Sequence, residues 1–323
     1  MKNRLKQFRV EAGLTQAQVA AAVGVSQPNY QRWESGFAPI PPAQLKKLAK
    51  ALSANTDTIL GRHPPIKVGF YDPAVGDDLD YYGEVAIHFH GPGEPLLLSI
   101  SEGEFDRLHA ALQGDAPFVT IESLANQTVA VRTSAVSDIY FSSEAFDTYG
   151  PEHGKYSRHV ELLLPDSRDW EIVEALALDS DTDEFQVADV ERVRSMIMIT
   201  DEQYRRLVND GMIEPQNLEA ERERDSQKTE AIFSMATETA YQLSNGVRRS
   251  VFVNDQKNLY EAFYAIVEYE NGFIDDGMIR LEAEGKDRIV FINGRAIDYV
   301  SIPTHQFQNG RVESNAEAID SAI

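Results

Sequence analysis

The stretch Gln16–Ser35 restricts the fold of this chain more than any other part of the sequence. Thr15 precedes it and Gln18 stands three residues later, a Thr-x-x-Gln spacing that predicts the capped start of a helix. Gly24 can adopt the positive φ of a tight turn without the penalty that a Cβ atom would bring. Ser26 follows as a candidate cap for a second helix. The stretch therefore predicts two short helices that cross at a sharp turn.

The two predicted helices divide their residues between a core and an exposed surface. Val19 and Val23 are four residues apart and would lie on one face of the first helix. In the second helix, Pro28 is tolerated because it falls in the first turn, and Tyr30 and Trp33 would point into the core. The side chains that remain on the outside are those of Gln27, Asn29, Gln31 and Arg32.

This pattern resembles the Cro/CI-like family of helix-turn-helix regulators, also called the XRE family. The resemblance covers residues 1–62, and the other segments that carry it are Leu5–Arg9, Gly13–Gln16, Trp33–Gly36, Leu45–Leu52 and Asp57–Leu60. It implies an all-α domain of five helices over residues 1–62 that binds double-stranded DNA.

The resemblance also implies which residues contact the DNA. The helix from Ser26 to Ser35 would lie in the major groove, where Gln can bind adenine and Arg can bind guanine. Gln16, at the start of the preceding helix, would anchor a phosphate with help from the helix dipole. The expected DNA-binding residues are Gln16, Ser26, Gln27, Asn29, Gln31 and Arg32, with Lys2, Arg4 and Arg9 as weaker phosphate contacts.

One loop departs from the family pattern. The segment Phe37–Pro42 is apolar and rich in proline, where the family usually carries basic or polar residues. Either the DNA affinity of a monomer is modest, or this loop packs against another surface such as a second subunit. Because one such domain usually binds weakly alone, we expect a homodimer on a two-fold symmetric operator.

The charge of the chain is divided unevenly between its two parts. Residues 1–62 contain nine Lys or Arg and three acidic residues, a net charge of +6. The whole chain carries −22, so the remainder carries −28. The basic part would attract phosphate and the acidic part would be repelled by it, which argues against a second DNA-binding surface.

Length and composition limit the remaining classes of protein. At 323 residues the chain is long enough for two or three domains with their own cores. It contains no cysteine, which excludes disulfides and thiolate zinc sites. No apolar run approaches the roughly 20 residues that span a bilayer. We therefore expect a cytoplasmic, nucleoid-associated protein without membrane partners.

The pattern after residue 65 predicts an α+β body. A break at Arg62–Pro65 separates it from the basic domain, because helical spacing stops there and two prolines follow. We expect an α+β unit over residues 66–150, an α+β middle segment over 151–214, and a long helix plus a second α+β unit over 215–323. The long helix is expected over Leu218–Leu243, and the tail after Phe307 is expected to be loosely held.

Weak internal repetition indicates that the body repeats a strand-helix-hairpin unit. Val119–Phe141 aligns without a gap on Ile279–Ser301, with apolar positions in phase. Ile100–Leu108 parallels Ile199–Leu207, and each is expected to be a strand that ends in a capped helix. Val251–Asp255 is expected to lead into a helix in the same way. Repeated α+β units more often build a binding or dimerisation body than an active site.

One motif in the body suggests metal chemistry. His88, His90 and Glu94 have the spacing of the first metal motif of cupins, and the two histidines would face the same side of a strand. The second cupin motif would have to be His305 with Asn309, which lies far downstream. Two histidines on a half-exposed strand are the favoured interpretation, and we expect neither a metal nor a cofactor.

Taken together, these patterns predict a sequence-specific DNA-binding transcriptional regulator, most often a repressor in this family, and not an enzyme. Its acidic body would supply dimerisation and would sense a small-molecule effector or bind a protein partner. The alternative function is a protein-interaction module, antitoxin-like or part of a phage-type switch, whose body binds a protein partner. A ligand-sensing regulator with a cupin-like body is less favoured.

Overall fold

The computed structural model describes residues 3–69, 79–143, 162–268, 277–283, 285 and 288–322. Five N-terminal helices are followed by a body of strands and helices, so the predicted α+β class is confirmed. Within the described ranges, no helix is both long enough and apolar enough to cross a membrane.

The N-terminal domain is a bundle of five short helices. They are α1 (Leu5–Glu11), α2 (Gln16–Val23), α3 (Gln27–Glu34), α4 (Pro42–Ala51) and α5 (Thr56–Ile59). The predicted capping box forms in full: the Thr15 hydroxyl accepts the N–H of Gln18, and the Gln18 amide oxygen accepts the N–H of Thr15. Gly24 ends α2 with a φ of +76°, so α3 can cross α2 over a shared core.

The first unit of the body is a pair of hairpins around a helix, closed by a fifth strand. Its elements are β1 (Tyr81–Phe89), β2 (Leu96–Ser101), α6 (Glu102–Ala111), β3 (Phe118–Ser123), β4 (Gln127–Arg132) and β5 (Val136–Ser143). Ser101 caps α6 by accepting the N–H of Glu104, as its spacing predicts.

Four helices follow in the described part of the chain. They are α7 (Ser167–Ala177), α8 (Val187–Ile197), α9 (Asp201–Asn209) and α10 (Leu218–Thr237). Apolar residues of α7, α8 and α10 share one core, in which Trp170 is almost fully buried. The described part of the middle segment, residues 162–214, is therefore helical and not α+β.

The second unit repeats the element order of the first. Its elements are β6 (Glu238–Leu243), β7 (Arg248–Phe252), α11 (Gln256–Val267), β8 (Met278–Glu282), β9 (Ile289–Asn293), β10 (Ile297–Pro303) and a C-terminal helix, α12 (Thr304–Ser321). A short 3-10 turn precedes the last strand of each unit, at Thr133–Ala135 and Gly294–Ala296. The repeat predicted from Val119–Phe141 and Ile279–Ser301 is thus visible as two hairpins, a helix and a closing strand.

The two units share a sheet. The strand orders are β2-β1-β5, β3-β4-β10-β6-β7 and β8-β9, and the named pairs are antiparallel. In the five-stranded sheet, Ser301 of β10 stands opposite Val129 of the first unit and Ala240 of the second. One face of this sheet packs against the three-stranded sheet, and the other packs against α11 and the β8-β9 hairpin.

Three sequence-based boundaries in the body are wrong. Ile199 lies in the link between α8 and α9, not at the end of a strand; it is half exposed, and no sheet lies there to bury it. The long helix ends at Thr237 and β6 begins directly after it, because residues such as Thr239 and Tyr241 suit a strand. The tail after Phe307 is not loose but forms most of α12.

Candidate nucleic-acid interface

The helix α3 has one buried side and one exposed side. Tyr30, Trp33 and Glu34 form the buried side. The exposed side carries the four residues predicted to read bases, Gln27, Asn29, Gln31 and Arg32. Among the described residues, the side-chain amides of Gln27, Asn29 and Gln31 have no hydrogen-bond partner. The structure therefore brings these amides and the Arg32 guanidinium together on one accessible surface.

Ser26 stands at the N-cap of α3, but its side chain does not cap the helix. A capping oxygen needs the N–H of the second or third helical residue. The second residue is Pro28, which has no N–H, and the N–H of Asn29 is bound by the Ser26 carbonyl at 3.0 Å. The exposed Ser26 hydroxyl is thereby left available to a phosphate.

Behind the exposed surface, Glu34 organises the start of α2. Arg9 donates two hydrogen bonds to it, Nε to Oε2 at 2.8 Å and Nη2 to Oε1 at 3.0 Å. The side-chain amide of Gln16 donates a third at 2.9 Å. Burial alone would favour the neutral acid, but these donors hold the pKa of Glu34 below its ordinary value. A buried, ionised carboxylate therefore fixes the position of Gln16.

The backbone N–H of Gln16 is bound by a residue from the far end of the chain. It donates to Oδ1 of Asp320 in α12, with an N···O distance of 3.1 Å. Arg9 Nη2 lies 3.2 Å from the other oxygen of the same carboxylate. An anion at the first N–H group of a helix is favoured by the helix dipole. The predicted phosphate position at the start of α2 thus holds a carboxylate of the protein itself.

The three weaker phosphate candidates have different outcomes. Lys2 lies outside the described residues. Arg9 is fully buried and bound to Glu34 and Asp320, so the prediction that it contacts phosphate is wrong. Arg4 donates two hydrogen bonds to Glu171 of α7, at 2.7 and 3.1 Å, and joins the domain to the body instead of facing outward.

The helix-turn-helix family model matches residues 5–59, from the first residue of α1 to the last of α5. Residues 5–59 are a helix-turn-helix domain. No curated protein and no solved structure matches the chain. The helix-turn-helix match supports DNA binding of the XRE type in general, and it stops before the body begins.

Two features of the helix-turn-helix interface were missed at the sequence level. One is Asp320, which is 304 residues from Gln16 along the chain. The other is Phe37, which is 77% exposed and lies under the Arg32 guanidinium, 5.1 Å from its carbon to the ring centre. A cation above an aromatic ring is attracted to it and restricted in orientation. An aromatic residue directly after Gly36 was the available signal.

The histidine motif of the body does not assemble the cupin pattern. His88 Nδ1 lies 2.7 Å from an Asp138 oxygen, and the His90 ring contacts the Ser137 hydroxyl at 3.1 Å. His305 is buried elsewhere, between Asn126 and Glu174. In the part of the chain that the structure describes, no group of three His, Asp or Glu side chains is placed to hold a metal ion.

Proposed function

We propose that this chain is a sequence-specific transcriptional regulator, most simply a repressor, that acts as a homodimer on a two-fold symmetric operator. The observation that carries the proposal is the exposed side of α3, where three amides and a guanidinium stand together. These groups match the donors and acceptors of adenine and guanine in the major groove. We also propose that the chain is not an enzyme and that it is associated with the nucleoid.

The charge distribution supports the same function. The helix-turn-helix domain carries a net charge of +6 within residues 1–62, and the rest of the chain carries −28. DNA would be attracted to the domain and repelled by the body, which orients the chain with α3 towards the duplex. Sequence-independent binding through the body would be suppressed for the same reason.

Dimerisation would follow from the weakness of a single helix-turn-helix domain. Two domains on one face of the duplex must place their α3 helices one turn of DNA apart, roughly 34 Å. The paired α+β units of the body are the part of the chain large enough to supply a stable contact between subunits.

The experiment that tests the proposal is the mass of the full chain in solution, alone and mixed with DNA from its own upstream region. A dimer that binds this DNA at near-physiological salt, and loses binding when Gln27 and Arg32 are both replaced by Ala, supports a regulator that controls its own gene. If the chain binds neither this DNA nor any duplex from a random library, the proposed DNA-binding function is wrong. A monomer that still selects one sequence would overturn the dimer alone.

A further inference from the structure

A cavity of about 570 Å³ lies in the body, away from the helix-turn-helix domain. It is open to solvent on one side and is bounded by the strand β2, the helix α10 and the face of the five-stranded sheet formed by β6, β7 and β10. Pockets for small molecules typically have volumes of roughly 300 to 1,000 Å³. The size of this cavity therefore suits a small organic molecule.

The floor of the cavity is one face of the five-stranded sheet. The cavity exists because this face carries small side chains at one place. Ser250, Ala240 and Ser301 stand opposite one another across β7, β6 and β10. Side chains at directly opposed positions point to the same face of a sheet. The same row continues into Val129 and Ile121, which are buried against the three-stranded sheet. Where the row changes from Val and Ile to Ala and Ser, the space above it is left open.

One wall of the cavity is apolar. It is formed by Leu96 and Leu98, which point to the same face of β2, an edge strand of its sheet. Met235 of α10 lines the cavity as well. Buried leucines and a methionine favour an apolar group in contact with them.

The charged part of the cavity lining is mostly basic, which is unusual in a body with a net charge of −28. The lining contains four basic residues, Arg224, Lys228, Arg248 and Arg249, against two acidic residues, Glu94 and Glu238. Arg248 belongs by strand alternation to the floor side of the sheet, and none of the described carboxylates forms an ion pair with it. Among the described residues, Arg224 forms an ion pair with Glu221 and Lys228 with Asp225, both on their own helix. An anion that enters the cavity would meet these positive charges.

We propose that the cavity binds a small amphipathic anion, with its apolar part against β2 and its carboxylate, sulfonate or phosphate group near Arg248. The neutral hydroxyls of the floor would add hydrogen bonds to either part. The proposal concerns the body and stands whether or not the helix-turn-helix domain binds DNA.

The test uses two fluorescent probes that differ by one charged group. Anilinonaphthalene sulfonate carries an aromatic body and a sulfonate, and phenylnaphthylamine has the same rings without the charge. The full chain is expected to bind the sulfonate saturably at one site. R248Q should weaken that binding about tenfold, because one charged hydrogen bond is lost, and should leave phenylnaphthylamine unchanged. S301L should abolish the binding of both probes, because the leucine side chain would fill the space above the floor of the cavity.

The matched control is R205Q, which removes the same charge from the exposed face of α9. Arg248 is exposed, so R248Q tests the charge without disturbing the core. Three results would overturn the proposal: no saturable sulfonate binding, equal weakening by R248Q and R205Q, or unchanged binding in a folded S301L chain. Circular dichroism of each variant confirms the fold before the probes are added.

Discussion

Asp320, near the end of α12, accepts a hydrogen bond from the backbone N–H of Gln16, the first residue of α2, over 3.1 Å. The two residues belong to opposite ends of the chain, and the carboxylate lies where a phosphate is expected to bind. DNA would have to displace Asp320 to reach that N–H. We therefore expect the C-terminal helix to compete with DNA at this position.

The first prediction concerns this competition. D320N should bind a random-sequence duplex about two- to fivefold more tightly than the natural chain, because the favourable anion at the start of α2 is removed. Fluorescence anisotropy at fixed salt measures the affinity. E313Q is the matched control, since it makes the same charge change on α12 but affects a carboxylate that pairs with Lys6. Equal gains in both variants would mean that only overall charge had changed.

The second prediction concerns the buried pair of Arg9 and Glu34. E34Q should lower the free energy of unfolding by about 3–5 kcal/mol, since it removes the buried carboxylate of Glu34 and leaves the buried Arg9 guanidinium with the partly exposed Asp320 as its anionic partner. Urea unfolding followed by far-UV circular dichroism measures the loss. E11Q is a suitable control, because Glu11 is an exposed residue at the end of α1. A loss no larger than that of E11Q would contradict the importance of the pair.

The same pair predicts how stability depends on pH. The folded pKa of Glu34 is below the ordinary value of 4.5, so the stabilisation is fully present above pH 4.5. It is lost as the pH falls through the lowered folded pKa, where Glu34 takes up a proton. E34Q has no carboxylate to protonate at this position, so it has no such stabilisation to lose. The free energy of unfolding of the natural chain should therefore approach that of E34Q in acid. Urea midpoints of both chains, at neutral pH and below pH 4.5, measure this convergence. A constant difference at all pH values would contradict the assignment.

The fourth prediction contrasts two glycines. A Cβ atom on Gly310 would lie 2.0 Å from the Gln256 carbonyl oxygen, because α12 and α11 approach closely there. G310A should therefore destabilise the body by at least the roughly 1–3 kcal/mol that overpacking costs. G24A meets no neighbouring atom and is strained only by its φ of +76°, so about 1–2 kcal/mol is expected. Thermal unfolding compares the two, and a milder effect for G310A would contradict the close contact.

The helix-turn-helix domain was predictable because its signals are local. The capping box of Thr15 and Gln18, the positive φ of Gly24 and the inward Tyr30 and Trp33 act within a few residues of one another. The helical spacing of Tyr30 and Trp33 also predicts which residues of α3 are exposed. Ser26 is a partial exception, because its position was predicted but the neighbouring proline removes the partner of its side chain.

The docking of α12 could not be predicted from periodicity. Its contacts use Gly310, Ala316 and polar pairs such as Lys257 with Glu317, which do not form an apolar stripe. The contact between Asp320 and Gln16 joins the two ends of the chain, and no local pattern encodes it. The cavity was missed for a related reason: it depends on which strands stand next to Ser301 in the sheet.

Whether α3 reads the base sequence is tested most directly by the effect of R32A on DNA sequence selection. The natural chain is used to select duplexes from a random library, and binding of R32A to the selected and to a random duplex is then measured. If Arg32 contacts a guanine, R32A should lose about 1–3 kcal/mol of binding free energy on the selected duplex and much less on the random one. Equal losses on both would mean that Arg32 contacts phosphate alone. If the natural chain enriches no sequence, the claim that α3 reads DNA is wrong.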